Sequence, residues 1–177
     1  MSRLSRLSMG GRRGHTLTRT ESVAVTGEDG GAVLACATAA GGEVVVITQH
    51  RFVVLDEVAS VLTSAPWHLV EGGAWESDVD TLVVSWVDGS PVARWPIPEP
   101  GRLPEAFRER VQASIVLTEH LDLGPRRRVR VVLRKDLRTG QLLDQILLGR
   151  GVSLDDPGVR EAAEATRLAM WEHVGQD

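Results

Sequence analysis

The chain has 177 residues and a mass of 19.2 kDa, enough for one domain with an appendage and for a core that needs no disulfide. Cys36 is the only cysteine, which excludes an intramolecular disulfide and fits a reducing compartment, so the expected location is cytoplasmic. The formal charge of −4 is unevenly spread: residues 1–20 hold Arg3, Arg6, Arg12, Arg13 and Arg19 and no acid, which leaves −9 on the rest.

Between Phe52 and Ala93 there is no Lys or Arg, while Asp56, Glu57, Glu71, Glu76, Asp78, Asp80 and Asp88 are present, so this half repels phosphate. The opposite extreme is RRRVRVVLRKDLR, where Arg126, Arg127, Arg128, Arg130, Arg134, Lys135 and Arg138 face only Asp136. No apolar run approaches the ~20 residues that span a bilayer, and MSRLSRLSMGGRRGHT lacks the apolar stretch of a secretory signal. No transmembrane segment is expected. Residues 1–20 mix Ser, Gly and Arg with scattered leucines and bury too little to offset ordering entropy, which predicts a disordered basic tail.

From Ala32 the runs AVLACATA, EVVVITQ and RFVVLDE, separated by Gly41-Gly42 and Gln49-His50, predict three consecutive strands. Residues 57–64 suit a short helix or an irregular crossing, and PWHLVEGGAW resumes extended structure through Trp75. In TLVVSWVDGSPVARWPI, Asp88-Gly89 predicts a two-residue type I′ hairpin with Leu82 facing Trp95, Val84 facing Ala93 and Val83 facing Arg94. Pro100-Gly101 ends this meander. Leu103, Phe107, Val111 and Ile115 then recur every four residues behind Pro104, predicting one amphipathic helix over about 103–120.

After Gly124-Pro125 a second hairpin follows, turning at Asp136 and Gly140. Pairing Lys135 with Gln141 would set Leu133 against Leu143, Val131 against Gln145 and Val129 against Leu147, with Arg130, Arg134 and Asp144 on the other side. Asp156 and Pro157 then open a terminal helix with Val159, Ala163, Thr166, Met170 and Val174 as its apolar stripe.

Candidate chemistry is sparse. His68 stands between Trp67 and Trp75 and reads as a packed histidine more readily than as a proton-transfer group. Glu76, Asp78 and Asp80 alternate, but ESDVD lacks the glycine and distal glutamate of a calcium loop and reads as a solvated turn. Cys36 lies in an apolar strand, the setting of an inert thiol. GEDGGA, residues 27–32, has glycines without the Lys or the helix of a phosphate loop. No catalytic residue, metal or cofactor is therefore expected, and the chain reads as a non-enzyme. Four of five tryptophans fall between Trp67 and Trp95, which places them in one core.

The segment PWHLVEGGAWESDVDTLVVSWVDGS followed by LPEAFRERVQASIVLTEHLDL resembles actinobacterial proteins whose central region is similar to pleckstrin-homology-like domains, over about residues 30–121. The resemblance implies a binding module, commonly for lipid headgroups or peptides. AVLACATA to EVVVITQ carries no basic cluster where phosphoinositide-binding members place theirs, so no family site transfers to this chain.

The expected fold is α+β: a small, partly open antiparallel β-barrel or sandwich over 21–121, closed by a helix. A hairpin-helix extension over 122–177 packs on the same body, because Val129, Val131, Leu133, Leu143 and Leu147 would otherwise form an exposed apolar patch. The expected function is an adaptor that binds a protein partner or a second copy through a sheet edge. The alternative is an anionic ligand, a lipid headgroup or nucleic acid, held by the seven basic side chains of 126–138, where arginine forks match phosphate oxygens.

Overall fold

A computed structural model describes residues 15–26, 31–124 and 127–175. It is α+β, with three antiparallel sheets and three helices among those residues. The first sheet has the order β1 (Val33–Thr38), β2 (Val44–Thr48), β3 (Arg51–Leu55), β4 (Val61–Pro66). The second follows a 3-10 turn over Trp67–Leu69 and has the order β5 (Val70–Glu76), β6 (Thr81–Trp86), β7 (Ala93–Pro96). Residues 57–64, left between helix and crossing by the sequence, instead contribute the start of β4.

The first two sheets share a core. Ala37, Val45, Ile47, Phe52 and Val54 of the first meet Val70, Leu82 and Val84 of the second. Phe52 stands at the centre of the aromatic packing, its ring 5.9 Å from Trp86, 5.4 Å from Trp95 and 5.9 Å from Phe107. Trp67 is fully buried and donates its indole N–H to the Thr48 carbonyl at 3.1 Å. All four tryptophans from Trp67 to Trp95 contribute to this core, as their clustering predicts.

The sheets do not close into the expected barrel. At the passage from β4 to β5, Pro66 lacks an N–H and the following turn redirects the chain, so no ladder crosses there. A backbone bond ties the two sheets at one rim, from Ala40 N–H to the Pro96 carbonyl at 2.8 Å.

The β6–β7 register is the predicted one, with Leu82 opposite Trp95, Val83 opposite Arg94 and Val84 opposite Ala93. Its turn is wider than the expected two-residue loop. Gly89 N–H bonds to Trp86 and Ser90 N–H to the Asp88 carboxylate, so pairing stops at Ala93.

Helix α2 (Leu103–Ser114) covers one end of the shared core through Leu103, Ala106, Phe107 and Val111. Gly73 admits it: a Cβ there would lie 2.7 Å from the Phe107 ring and 2.4 Å from the Val83 carbonyl. The helix is shorter than the predicted 103–120. Ile115, Val116 and Thr118 are β-branched, and the chain passes at Ile115 into strand β8 (Ile115–Asp122), which pairs with β9 (Arg128–Lys135).

The third sheet has the order β10 (Leu142–Leu148), β9, β8, and α3 (Pro157–Val174) lies on it. Asp156 caps that helix by accepting the Gly158 N–H at 3.0 Å. Val159, Ala163 and Met170 pack on Val129, Val131 and Leu133. The hairpin register is one residue tighter than predicted, because Asp136 N–H bonds to Gln141 at 2.8 Å and Gly140 takes φ of 75° to complete the turn. Leu133 therefore opposes Asp144, and Arg134 opposes Leu143. A one-residue shift changes which face each β10 side chain joins.

Most of the expected N-terminal tail lies outside the described residues. Its last six, 15–20, are described, with His15 and Leu17 half-buried: Leu17 lies against the outer face of the first sheet, and α1 (Arg19–Thr26) adds Val25 over Val44, Val46, Val53 and Leu55. No helix among the described residues is long and apolar enough to cross a membrane.

Candidate functional site

Where the first two sheets part, an apolar cleft of about 380 Å³ opens between β4 and the β6–β7 turn. Thr63 and Ala65 line it from β4, opposite Val54 and Phe52 in the ladder, so both lie on the core side of that strand. Leu69 forms one lip, exposed by 45%. Trp86 and Val87 supply the wall from β6 onward, and Ala93 and Trp95 complete it from β7. Phe52 packs behind both tryptophans. The exposed polar groups of the lining are Asp88 and Ser90, which bond to each other at 2.9 Å through the serine N–H.

The cleft follows from splaying and aromatic size. Trp86 and Trp95 are half-buried, with one part of each indole in the core and the remainder at the opening. β4 is the outer strand of its sheet, and Val61 and Leu62 on it are exposed by 48% and 57%. An unpaired strand edge beside an apolar recess offers backbone partners and a side-chain socket together.

Of the seven basic residues expected to hold an anion, the six described do not form one patch. Arg126 lies outside the described residues. Arg127 pairs with Asp156, and Arg130 pairs with Glu71. Arg134 is 1% exposed; its guanidinium donates to Ser114 Oγ at 2.9 Å, to the Glu71 carbonyl at 2.8 Å and to the Trp67 carbonyl at 3.4 Å. Burial first, then the neighbouring Arg130, pushes its pKa down to about 10, with Glu71 opposing, so it remains a cation at neutral pH. Arg128 and Lys135 are exposed at opposite ends of an eight-residue strand, roughly 23 Å apart. Arg138 sits in the turn beyond, its N–H bound to the Asp136 carboxylate.

Arg134 instead fastens the third sheet to β5, to the 3-10 turn and to α2, together with Arg130 and with Gln145, whose amide donates to the His68 carbonyl at 2.6 Å. These side chains share one face of β9 and β10, opposite the α3 face. The signal was present in the sequence. VRVVLR alternates arginine with apolar residues in a central strand, where both faces are covered.

His68 is half-buried; burial first lowers its pKa, nearby Asp136 raises it, and Arg134 and Arg51 lower it further. Its Nδ1, the Gln145 Oε1 and the Arg134 Nε are buried atoms without a protein partner, which marks the seam as a place for bridging water. Cys36 donates its S–H to the His15 carbonyl at 3.2 Å, and burial pushes the thiol pKa up. Glu76 pairs with Arg94, while Asp78 and Asp80 are exposed; no three His, Cys, Asp or Glu side chains gather as metal ligands among the described residues.

No protein-family model matches the chain, and no curated protein sequence matches it.

Proposed function

We infer that the protein is a non-enzymatic binding module that takes an extended segment of a protein partner along β4, with an apolar side chain seated against Trp86 and Trp95. The cleft is the observation that carries this reading. A 380 Å³ apolar recess with two half-buried indoles has ample room for a large side chain, and an outer strand beside it supports main-chain pairing. Four strands, then three, then a helix over one end of their shared core favour a pleckstrin-homology-like relationship, and peptide binding is among the uses such domains serve.

The alternative, an anionic ligand on the basic hairpin, finds less support, since Arg127 and Arg130 are ion-paired and Arg134 is consumed by the seam. The direct test is fluorescence polarisation with labelled decapeptides that place one Leu or Trp in a Ser/Thr/Arg background. Wild type binds at least one of them, and Leu69→Glu weakens it at least tenfold with an unchanged Tm, because Leu69 is exposed and holds Val87 only through its backbone. Absence of binding across the set, or full binding by Leu69→Glu, overturns the reading.

A further inference from the structure

The cleft suits a segment of its own chain. Its only charged lining group is Asp88, exposed and without an ion pair among the described residues, and the surrounding stretch from Phe52 to Ala93 contains no Lys or Arg. Such a site favours an apolar anchor flanked by cations. The segment SRLSRLSM has that composition, with Leu4 and Leu7 each preceded by an arginine and no acid anywhere in residues 1–20.

Geometry allows the reach. The described chain begins at His15, whose ring bonds to Thr38 Oγ1 at 2.9 Å and lines a depression with Ala40 and Glu99. Ala40 is tied to Pro96, the last residue of β7, and the cleft lies at that strand's other end, at Ala93. Three residues of strand span about 10 Å. Leu7 is eight residues from His15 and Leu4 eleven, which reach at most about 26 and 36 Å when extended. β7 is an outer strand, so beyond the Ala40 bond at Pro96 a segment running along it meets no paired neighbour on that side among the described residues. The acids fall in order on this path: Glu99 beside the attachment point, within reach of Arg12 and Arg13, and Asp88 at the cleft, within reach of Arg3 and Arg6.

We propose that residues 3–9 of the chain dock in this cleft in cis, seating Leu4 or Leu7 against Trp86 and Trp95, and so compete with an external partner. The inference rests on the reading of the cleft as a protein-binding site. A tethered segment of this length acts at an effective concentration near the millimolar range, so even a weak intrinsic affinity keeps a large fraction of the sites filled.

The test compares indole N–H resonances of the full-length protein with those of a Leu4→Ser/Leu7→Ser double variant, which alters no described residue. Trp86 and Trp95 shift in the variant, independently of protein concentration over a tenfold range, while Trp67 and Trp171, whose indoles are held by Thr48 and Asp144, stay in place. A synthetic peptide of sequence MSRLSRLSMGGRRG then binds the variant at least fivefold more tightly than the wild type, and the gain shrinks with salt. Unchanged Trp86 and Trp95 resonances overturn docking in cis. Shifts that appear only at high concentration also overturn it, in favour of exchange between two copies. If cis docking fails while a library decapeptide still binds and Leu69→Glu still abolishes that binding, the reading of the cleft survives without this occupant.

Discussion

Arg134 illustrates how far one side chain can lie from what its neighbours in sequence suggest. Within a run of six further basic residues it reads as part of a solvated cationic face, yet it is buried and serves three acceptors on three other elements. Replacing it with Met retains much of the volume but leaves the Trp67 and Glu71 carbonyls without their donor. The expected loss is about 2–4 kcal/mol in urea unfolding, whereas Ser114→Ala, which removes one bond of the set, costs about 1 kcal/mol. Arg128→Ala, on the same strand and exposed, leaves the urea midpoint unchanged. His68 gives the pH dependence. Its pKa lies below the ordinary 6.5 in the folded state, so its contribution to stability is present above that value and is lost as the pH falls through the folded pKa. Urea unfolding at pH 7 and pH 5 checks this, with wild type losing more stability on acidification than His68→Gln.

Individual elements were legible where a local rule decided them. The β6–β7 ladder follows from alternating apolar residues, and α3 from the Asp156-Pro157 start with its stripe of Val159, Ala163 and Met170. Two failures have a shared cause. Ile115 and Val116 continue the helical spacing of α2, and only pairing with β9, distant in sequence, draws them into a strand. The second hairpin was found, but its register depended on which backbone pair closes the turn, a choice that composition does not encode. Gly140 is the residue that commits it. Gly140→Ala places an alanine at φ of 75°, and the expected cost is about 1–2 kcal/mol in thermal or urea unfolding. Gly72→Ala, at ordinary φ with its nearest contact 3.9 Å away, serves as the neutral comparison.

At the scale of the whole molecule, two cores share one polar seam. The first lies between the β1–β4 and β5–β7 sheets under α2, the second between β8–β10 and α3, and Arg130, Arg134 and Gln145 bridge them. That seam takes up Arg130 and Arg134, two of the cations that the sequence offered for an anion. It leaves the apolar opening beside β4 as the candidate site, and this opening was not legible in advance. Trp86 and Trp95 were placed in a core, correctly, but their half-burial depends on two sheets parting at Pro66, which only the assembled fold reveals. Binding is predicted there and not on the basic hairpin. The measurement that tests it most directly is backbone-amide and indole chemical-shift mapping during titration with the tightest of the Leu- or Trp-anchored decapeptides. Shifts confined to β4 and to Leu69, Trp86, Val87, Ala93 and Trp95 are expected. Shifts centred on Arg128, Lys135 and Arg138, with the cleft silent, would contradict binding at the cleft.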